Sequence, residues 1–391
     1  IGISVMTDTQ PLRVAFVGAG SMAPEHLKAF QAQPGVSLVG ITNRTREKAE
    51  KLAAEFNIEH VCDSVEELYA TTQADLVVMA VYEPAILETA TACLSHDWAV
   101  MMEKPIGLTS LEGEKLIALA NKETKFALML NQRTDPTFSK MKDIVDSGVL
   151  GKIQRTHWTM TNWFRPNIYF QVSDWRATWR GEGGGLLLNQ CIHNLDIFQW
   201  LCSMPVSLQA HCEFGKYHPI EVEDEATAFL QYSNGATGVF VGSSGEAPVF
   251  NRLEIVGDGG SLIFDGTQLL LTKNQPSTSE YCRTTTEMFG TPKSVTTDIT
   301  PDRSSNQHAA ILRNFVAAIN GDEALIASAE DGIHSLAFAN ARLLSSWTNG
   351  QVQLPLDSAT YQTHLNERIA HSSLRSAENI KVDIDMSKSF R

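Results

Sequence analysis

The 391-residue chain has no hydrophobic run long enough to cross a membrane and no excess of basic residues. A transmembrane helix needs about 20 consecutive apolar residues, and polar or charged residues interrupt every apolar stretch well before that length. The formal net charge is −14, with 31 Lys and Arg against 45 Asp and Glu, whereas nucleic-acid binding depends largely on a positive surface. These two absences predict that the protein has neither a membrane nor a nucleic acid as partner.

The six cysteines form no CxxC pair and no regular spacing. Zinc sites and disulfide scaffolds both depend on such spacings. We therefore expect no metal site and no disulfide framework, and we expect a reducing, cytoplasmic setting. Cys191 lies among the candidate site residues, and we interpret it as a small buried thiol.

The first third of the chain alternates short apolar runs with amphipathic stretches of helical spacing. The apolar runs predict strands at 14–17, 37–42, 76–81, 99–102 and 126–130. Alternating strands and helices predict an α/β domain with a parallel sheet covered by helices on both faces. We assign residues 1–130 to this domain, and within it residues 1–10 to a flexible leader that is too short and uncharged at its start for a signal peptide.

After residue 130 the pattern changes to strands separated by turns, with occasional helices. Asn234-Gly235, between two apolar alternations, is a strong hairpin signal. We expect residues 131–391 to form an α+β domain for substrate binding and oligomerisation, built on a large, mostly antiparallel open sheet. The polar segment 274–305, rich in Thr and Ser, is predicted to be a long loop.

A glycine-rich turn, from Gly18 to Ala23, follows the first predicted strand and precedes a helical pattern. In a dinucleotide-binding turn the first glycine allows the tight turn, the second lets the pyrophosphate approach the backbone, and a third small residue lets helix and strand pack closely. The N-terminus of the helix then faces the phosphates. The turn predicts a Rossmann NAD(P) site with these cofactor-binding residues: Gly18, Gly20, Ser21 and Met22.

The residues after the second predicted strand bear on the choice between NAD and NADP. Asn43, Arg44 and Thr45 stand where an Asp or Glu would bind the ribose 2′-hydroxyl of NAD. An arginine and a hydroxyl without a carboxylate favour NADP(H), with NAD(H) as the alternative. Arg44 could instead begin a solvated helix. The end of the predicted strand 76–81 is expected to line the nicotinamide side, through Val81, Tyr82 and Pro84.

The tripeptide Glu103-Lys104-Pro105 ends another apolar run, and its proline stops the strand. Parallel sheets bind ligands beyond the carboxyl ends of their strands. Lys104 is therefore expected to face the reactive end of the cofactor and to serve as an acid or base. A lysine in this place is more often only a surface charge, and a second motif weighs against that interpretation.

The second motif is a triple glycine, Gly183 to Gly185, that runs into a helical pattern carrying Asn189 and His193. Residues four apart share one face of a helix, and the glycines permit another group to approach closely. We predict that Asn189 and His193 are catalytic and contact the substrate. Asp196 either orients the imidazole of His193 or makes a local cap or pair.

These motifs resemble those of the Gfo/Idh/MocA family, named for glucose-fructose oxidoreductase, inositol dehydrogenase and a rhizopine-catabolism protein. The similarity covers nearly the whole chain and includes Asn131-Gln132-Arg133 and Glu223-Asp224-Glu225-Ala226. The resemblance implies a homodimer or homotetramer in which Lys104 is the acid or base, His193 assists it and Pro105 shapes the cofactor pocket. We add Glu103, Lys104 and Gln132 to the expected cofactor contacts.

The chain departs from the family pattern at Asn189, where many members carry Asp. An amide can hold a substrate hydroxyl by hydrogen bonding, but it can neither take a proton nor supply a negative charge. Proton transfer is therefore expected to depend on Lys104 and His193, and the substrate of members that carry the Asp does not transfer to this chain.

Residues 158–180 concentrate aromatic and guanidinium side chains. Aromatic faces pack against sugar rings, while Arg and Tyr bind hydroxyl groups. We predict a sugar or cyclitol substrate bound by Tyr169, Trp175 and Arg176, in addition to Lys104. For most of the other aromatic side chains in this segment, core packing is an equal alternative. His308 is a weaker site candidate.

The residues together predict an NAD(P)-dependent oxidoreductase that interconverts a secondary alcohol or hemiacetal and a carbonyl on a sugar or cyclitol by hydride transfer. Two alternatives stay open. One is a glycosidase or epimerase of the same family that recycles a tightly bound nucleotide. The other is a non-catalytic nucleotide-binding regulatory protein, since a fold alone does not determine function.

Overall fold

The computed structural model describes residues 11–121, 123–302 and 306–375, so the predicted leader, residues 1–10, lies outside the described residues. The chain divides into two compact units. The first contains the described residues up to Gly107, with Glu112–Asn131 and Asn306–Gly332. The second contains Leu108–Leu111 and the described residues of Gln132–Ser305 and from Ile333 onward.

The described residues form strands and helices in both units. In chain order, the strands are β1 (Leu12–Val17), β2 (Val36–Thr42), β3 (His60–Cys62), β4 (Leu76–Met79), β5 (Ala99–Met102), β6 (Phe126–Leu128), β7 (Ile153–Met160), β8 (Ser207–Phe214), β9 (Glu223–Gln231), β10 (Thr237–Ser243), β11 (Asn251–Gly257), β12 (Gly260–Phe264), β13 (Leu269–Gln275), β14 (Lys293–Asp298) and β15 (Val352–Gln353). The α-helices are α1 (Ala23–Gln31), α2 (Arg46–Phe56), α3 (Val65–Thr72), α4 (Ile86–Leu94), α5 (Ser110–Leu119), α6 (Pro136–Asp146), α7 (Asn167–Gln171), α8 (Trp179–Glu182), α9 (Ile192–Cys202), α10 (Thr278–Thr284), α11 (Gln307–Asn320), α12 (Ala329–Thr348) and α13 (Ser358–His371). Short 3-10 helices cover Glu83–Ala85 and Asn131–Thr134.

The first unit is built on a parallel sheet. Within the described residues its six strands have the order β3-β2-β1-β4-β5-β6, and every neighbouring pair is parallel. The central strand β4 is buried along its whole length, as expected for a strand that helices cover on both sides. The α/β prediction is confirmed, and the strand order is that of a doubly wound dinucleotide-binding sheet.

Residues 306–332 belong to the first unit, although the sequence pattern assigned everything after residue 130 to the second domain. The chain returns to the edge of the parallel sheet, where the Leu128 N–H donates to Ala327 O at 3.0 Å and Ala127 forms a bridge with Ser328. Gly332 lies so close to Leu128 that a Cβ on it would stand 2.1 Å from that side chain. These long-range contacts leave no trace in local periodicity.

The second unit is built on a larger sheet. Its nine strands, within the described residues, have the order β14-β13-β12-β11-β7-β10-β9-β8-β15. Only the pair β10 and β7 is parallel among the pairings of this sheet in the described chain. The predicted hairpin is present between β9 and β10, where Gly235 has a φ of 86° and Asn234 Oδ1 accepts the Ala236 N–H at 2.9 Å. The expectation of a mostly antiparallel open sheet is confirmed.

The prediction of a long loop over residues 274–305 is wrong. β13 continues to Gln275, and β14 pairs antiparallel with it. Between them α10 begins after Ser277, whose side chain accepts the Glu280 N–H at 3.4 Å. Every residue of β14 is exposed, so this edge strand lacks the alternation of buried and exposed residues that identifies a strand. Residues 303–305 lie outside the described residues.

Candidate active site

The predicted cofactor turn connects β1 to α1. Gly18 has a φ of 105°, and a Cβ on it would stand 2.1 Å from Ala80 O, so this position requires glycine. A Cβ on Gly20 would come no nearer to other atoms than 3.8 Å, again at Ala80 O. The protein itself therefore leaves the space beside Gly20 open, as a dinucleotide pyrophosphate approaching the backbone would need. The turn fits a bound NAD(P).

Asn43 holds the glycine turn against the end of β2. Its Oδ1 accepts the Ala19 N–H at 3.0 Å, and its Nδ2 donates to Thr45 O at 2.8 Å. The Gly18 N–H donates to Thr42 O at 2.8 Å. The amide predicted to touch the cofactor thus also fixes the shape of the turn.

Arg44 and Tyr82, both predicted to contact the cofactor, lie together on the surface of the first unit. Arg44 Nη1 donates to the Tyr82 hydroxyl at 2.9 Å, and the guanidinium carbon stands 4.8 Å from the centre of the tyrosine ring. A guanidinium on an aromatic face is held in place but keeps donors available for a further acceptor.

The other predicted cofactor residues lie near these positions or at the end of the first unit. Ser21 and Met22 precede α1, Thr45 precedes α2, Val81 follows β4, Pro84 lies in the 3-10 helix Glu83–Ala85, and Gln132 lies in the 3-10 helix Asn131–Thr134. Gln132 belongs to the second unit, whereas the rest belong to the first.

Lys104 lies two residues after the end of β5 and is half-buried. The preceding Glu103 is joined to the fully buried His26 of α1 by a contact of 2.6 Å between Oε1 and Nε2, and its other oxygen accepts the Lys104 N–H at 3.3 Å. His26 therefore ties the start of α1 to the residue beside Lys104. The Lys104–Pro105 peptide bond is cis.

Sequence reasoning missed His26, whose only signal was its place in the first turn of α1, just after the glycine turn. The weaker candidate His308 lies in the same unit, with its ring centre 5.7 Å from that of His26. Burial lowers the pKa of His308 below its ordinary value, and the nearby His26 lowers it further.

In the second unit the predicted substrate residues form a hydrogen-bonded cluster. The Tyr169 hydroxyl donates to Asn189 Oδ1 at 3.5 Å, and it accepts from Arg176 Nη1 and from Gln190 Nε2 at 3.2 Å. The Arg176 guanidinium also lies 4.9 Å from the ring centre of Trp175. Such a set of hydroxyl, amide and guanidinium groups can bind several hydroxyls of a polyol.

The turn that carries Asn189 is held by a buried carboxylate. Glu223 accepts the Gly185 N–H at 3.0 Å and the Leu187 N–H at 2.9 Å, and a Cβ on Gly185 would stand 2.5 Å from Glu223 O. Asn189 was predicted to share a helix with His193, and this prediction is wrong. Because α9 begins only at Ile192, Asn189 lies in the turn before it, where its N–H donates to Gly185 O at 2.9 Å.

His193 is half-buried in the first turn of α9. Asp196, one turn further on, accepts from Arg133 Nε at 2.8 Å and from Nη2 at 2.7 Å. Both side chains of this ion pair are buried. Asp196 also accepts from Gln199 Nε2 at 3.1 Å, which is a local pairing as expected, whereas the ion pair with Arg133, 63 positions earlier in the chain, was not predicted and holds α9 to Arg133.

Most of the other aromatic side chains in residues 158–180 are packed in the core. The buried members are Trp158, Trp163, Phe170 and Trp179. The indole N–H groups of Trp158 and Trp163 donate to Asn251 and Asn194, each at 2.8 Å. Core packing is thus the role of these four, while Tyr169, Trp175 and Arg176 stay half-buried.

Three further features bear on thiol reactivity, metal binding and membrane insertion. Burial raises the pKa of the Cys191 thiol well above its ordinary value, which fits an unreactive buried cysteine. In the described parts of the chain, no group of His, Cys, Asp and Glu is arranged to hold a metal ion. No helix there is both long and apolar enough to span a membrane.

Comparison with known families identifies the class. Residues 12–131 match the family model of oxidoreductases with an NAD-binding Rossmann fold, and residues 138–263 match the model of the Gfo/Idh/MocA C-terminal domain. The two models together cover more than half of the chain. The protein belongs to the Gfo/Idh/MocA family of oxidoreductases.

Three similar proteins illustrate the range of this family. Trans-1,2-dihydrobenzene-1,2-diol dehydrogenase of Mus musculus is 27% identical over 236 residues, which are 59% of this chain and 67% of that protein. Inositol 2-dehydrogenase of Rhizobium meliloti is 23% identical over 358 residues, 88% of this chain and 99% of that protein. The WlbA dehydrogenase of Bordetella pertussis, solved with NADH and UDP-GlcNAcA, has a TM-score of 0.74 at 22% identity and covers 89% of this chain and 100% of that one.

Proposed function

We propose that the protein is an NAD(P)-dependent dehydrogenase that interconverts a secondary alcohol or hemiacetal and a carbonyl on a sugar or cyclitol. The observation that carries the proposal is the glycine turn with open space beside Gly20, in the same unit as Lys104 at the carboxyl end of β5. The names of the relatives, which include inositol 2-dehydrogenases, support a polyhydroxylated substrate.

The cofactor supplies the redox chemistry, and the protein residues bind it. Bound NAD(P) supplies a hydride acceptor, or a hydride donor in the reverse direction. The glycine turn and the N-terminus of α1 hold the pyrophosphate, and Arg44 binds the 2′-phosphate of NADP(H), which we propose as the preferred cofactor. NAD(H) is the alternative.

Proton transfer is assigned to Lys104. Its ammonium can give up a proton and its amine can accept one at the substrate oxygen, as a general acid or base must. Glu103 lies directly before it and is held by His26 at 2.6 Å, so the backbone that carries Lys104 is fixed. We assign to His193 the role of assisting Lys104.

Substrate binding is assigned to the cluster of Tyr169, Trp175, Arg176 and Asn189. The Tyr169 hydroxyl is hydrogen-bonded to both Arg176 and Asn189, which keeps the three side chains in one arrangement before a ligand arrives. A preorganised set of polar groups loses less entropy on binding. The neighbouring Trp175 offers an apolar ring face for a sugar.

Replacement of Lys104 tests the proposal. Lys104→Met keeps an unbranched side chain, one atom shorter, but removes the proton acceptor, so we expect kcat to fall about 10²- to 10⁴-fold with little change in nucleotide affinity. Turnover is followed at the absorbance of reduced nicotinamide with myo-inositol, D-glucose, levoglucosan and UDP-linked sugars, and binding by calorimetry. Lys115→Met, at an exposed position of α5, is the control, and near-normal turnover in Lys104→Met would remove Lys104 from the mechanism.

The same samples separate the two alternatives. Nucleotide that stays bound through gel filtration, with turnover that needs none added, would favour a glycosidase or epimerase that recycles its cofactor. Tight nucleotide binding without turnover of any substrate would favour a regulatory protein.

A further inference from the structure

Glu182 and Asn189 lie against each other in the second unit, on either side of the triple glycine. The Asn189 amide nitrogen donates to Glu182 Oε1, and Glu182 is only 3% exposed. An ionised carboxylate is costly to bury unless hydrogen bonds or an opposite charge compensate it. The hydrogen bonds that Glu182 accepts from its neighbours therefore have to compensate for its burial.

The backbone anchors the second oxygen of Glu182. The Ala177 N–H donates to Glu182 Oε2 at 2.7 Å, while Glu182 itself is the last residue of α8, followed by Gly183 with a φ of 72°. One end of the carboxylate is thus tied to the main chain. The other end faces Asn189 in a fixed position.

This carboxylate sets the orientation of the Asn189 amide. The two ends of an amide have nearly the same shape, so only their partners decide which end faces which group. An ionised carboxylate only accepts hydrogen bonds, and the Asn189 nitrogen must therefore face Glu182. Asn189 Oδ1 is then presented to the Tyr169 hydroxyl, which donates to it at 3.5 Å.

The chain of hydrogen bonds continues from Asn189 through Tyr169 to the positively charged Arg176. The Tyr169 oxygen uses its hydrogen for Asn189 and accepts from Arg176 Nη1 and from Gln190 Nε2 at 3.2 Å. The bonds thus lead from the Glu182 carboxylate through an amide and a phenol to the Arg176 guanidinium, with each donor facing an acceptor. Charged groups at both ends strengthen such a chain of bonds.

We infer that Glu182 is a positioning residue that orients the Asn189 amide toward Tyr169 and Arg176. Its carboxylate takes the place of the one that many family members carry as Asp at the position of Asn189. An aspartate at 189 would place two carboxylates in hydrogen-bond contact, and one of them would have to take up a proton. Asn189 and Glu182 are therefore a matched pair. The inference rests on the proposed function only in assigning Asn189 to substrate binding.

An exchange of the two groups tests the pair. Three variants are compared with wild type: Glu182→Gln, Asn189→Asp and the double variant that carries both. Asn189→Asp places two acceptors in contact, and Glu182→Gln places an amide NH2 group against a donor, either the Ala177 N–H or Asn189 Nδ2. We therefore expect kcat/KM to fall at least tenfold in each single variant, mainly through KM, and the thermal midpoint of unfolding to fall. In Asn189→Asp the loss of kcat/KM should become larger as pH rises from 5 to 8, because the proton shared by the two carboxylates dissociates.

The double variant restores one carboxylate and one amide. We expect it to recover kcat/KM to within about fivefold of wild type and to lose the pH dependence of Asn189→Asp. The control is Glu221→Gln combined with Asn189→Asp, because Glu221 accepts from Trp179 and Ser372 instead and its replacement should restore nothing.

The outcome separates this inference from the proposed function, because thermal unfolding is measured without substrate. Either of two results would refute the inference. One is a double variant whose thermal midpoint of unfolding is no higher than that of the less stable single variant. The other is an Asn189→Asp variant whose kcat/KM depends on pH in the same way as that of wild type. Recovery of the unfolding midpoint in a protein that turns over none of the sugars would support the pair and count against the proposed function.

Discussion

At the scale of single residues, Arg44 bears on the choice of cofactor. Its guanidinium rests on the Tyr82 ring and is exposed, and a charge-assisted bond to a 2′-phosphate contributes about 1.5–3 kcal/mol. We expect Arg44→Ala to weaken NADP⁺ binding about 10- to 100-fold while NAD⁺ binding changes little, as measured by calorimetry. Arg46→Ala is the control, since Arg46 pairs with Glu50 and Asp63, and an equal loss for both nucleotides would contradict the assignment.

The sequence predicts roles for the glycine turn and for Tyr169, Arg176 and Asn189, because each stands in a local pattern or concentration of residue types. It did not identify His26 or Glu182. His26 contacts Glu103, which lies 77 positions further along the chain. Glu182 contacts Asn189 only because the turn between them brings the two side chains together. Only the tertiary structure brings these partners together.

At the scale of elements, Glu223, the first residue of β9, makes the stability of the turn that carries Asn189 depend on pH. Burial raises the pKa of Glu223 to about 7, against the opposing effect of the backbone N–H donors, and the nearby Glu182 raises it further. The folded state therefore keeps a proton that the unfolded chain, with an ordinary glutamate, has already lost. This contribution to stability is complete below about pH 4.5 and is lost as pH rises through about 7.

We expect the wild-type protein to lose about 3 kcal/mol of unfolding free energy between pH 4.5 and 8 through this group, at about 1.4 kcal/mol per pKa unit. Glu223→Gln cannot ionise, so its stability should vary less with pH over that interval. Denaturant unfolding at a series of pH values measures both proteins. Parallel profiles would show that Glu223 does not titrate in this range.

Most elements with a buried side were predicted from their spacing, but β13 and α13 were not, although each buries apolar residues. The sequence pattern predicts strands at 153–160, 207–214 and 260–264, and β7, β8 and β12 have these bounds because buried residues alternate along them. β14 was missed because all its residues are exposed, and β3 because its three residues are too few to show a period. Hydrophobic periodicity reports burial rather than backbone pairing.

At the scale of the whole molecule, the open face of the second sheet is the candidate surface for self-association. Paired residues on this face include Phe229, Val239, His157 and Glu254, and Phe229 is 46% exposed. Exposed apolar area of this kind favours association. A net charge of −14 opposes it by mutual repulsion, so apolar contact has to supply the favourable free energy.

We expect the protein to form a homodimer or homotetramer, with a mass two or four times the 43.0 kDa of the chain, when measured by light scattering after gel filtration. Phe229→Asp would bury a charge in the interface and should shift the mass toward that of the monomer. Leu119→Asp, an equally exposed apolar position of the first unit at 44% exposure, should leave it unchanged. A wild-type protein that elutes as a monomer would show that this sheet face stays in water, and a Phe229→Asp variant that remains assembled would place the interface on another surface.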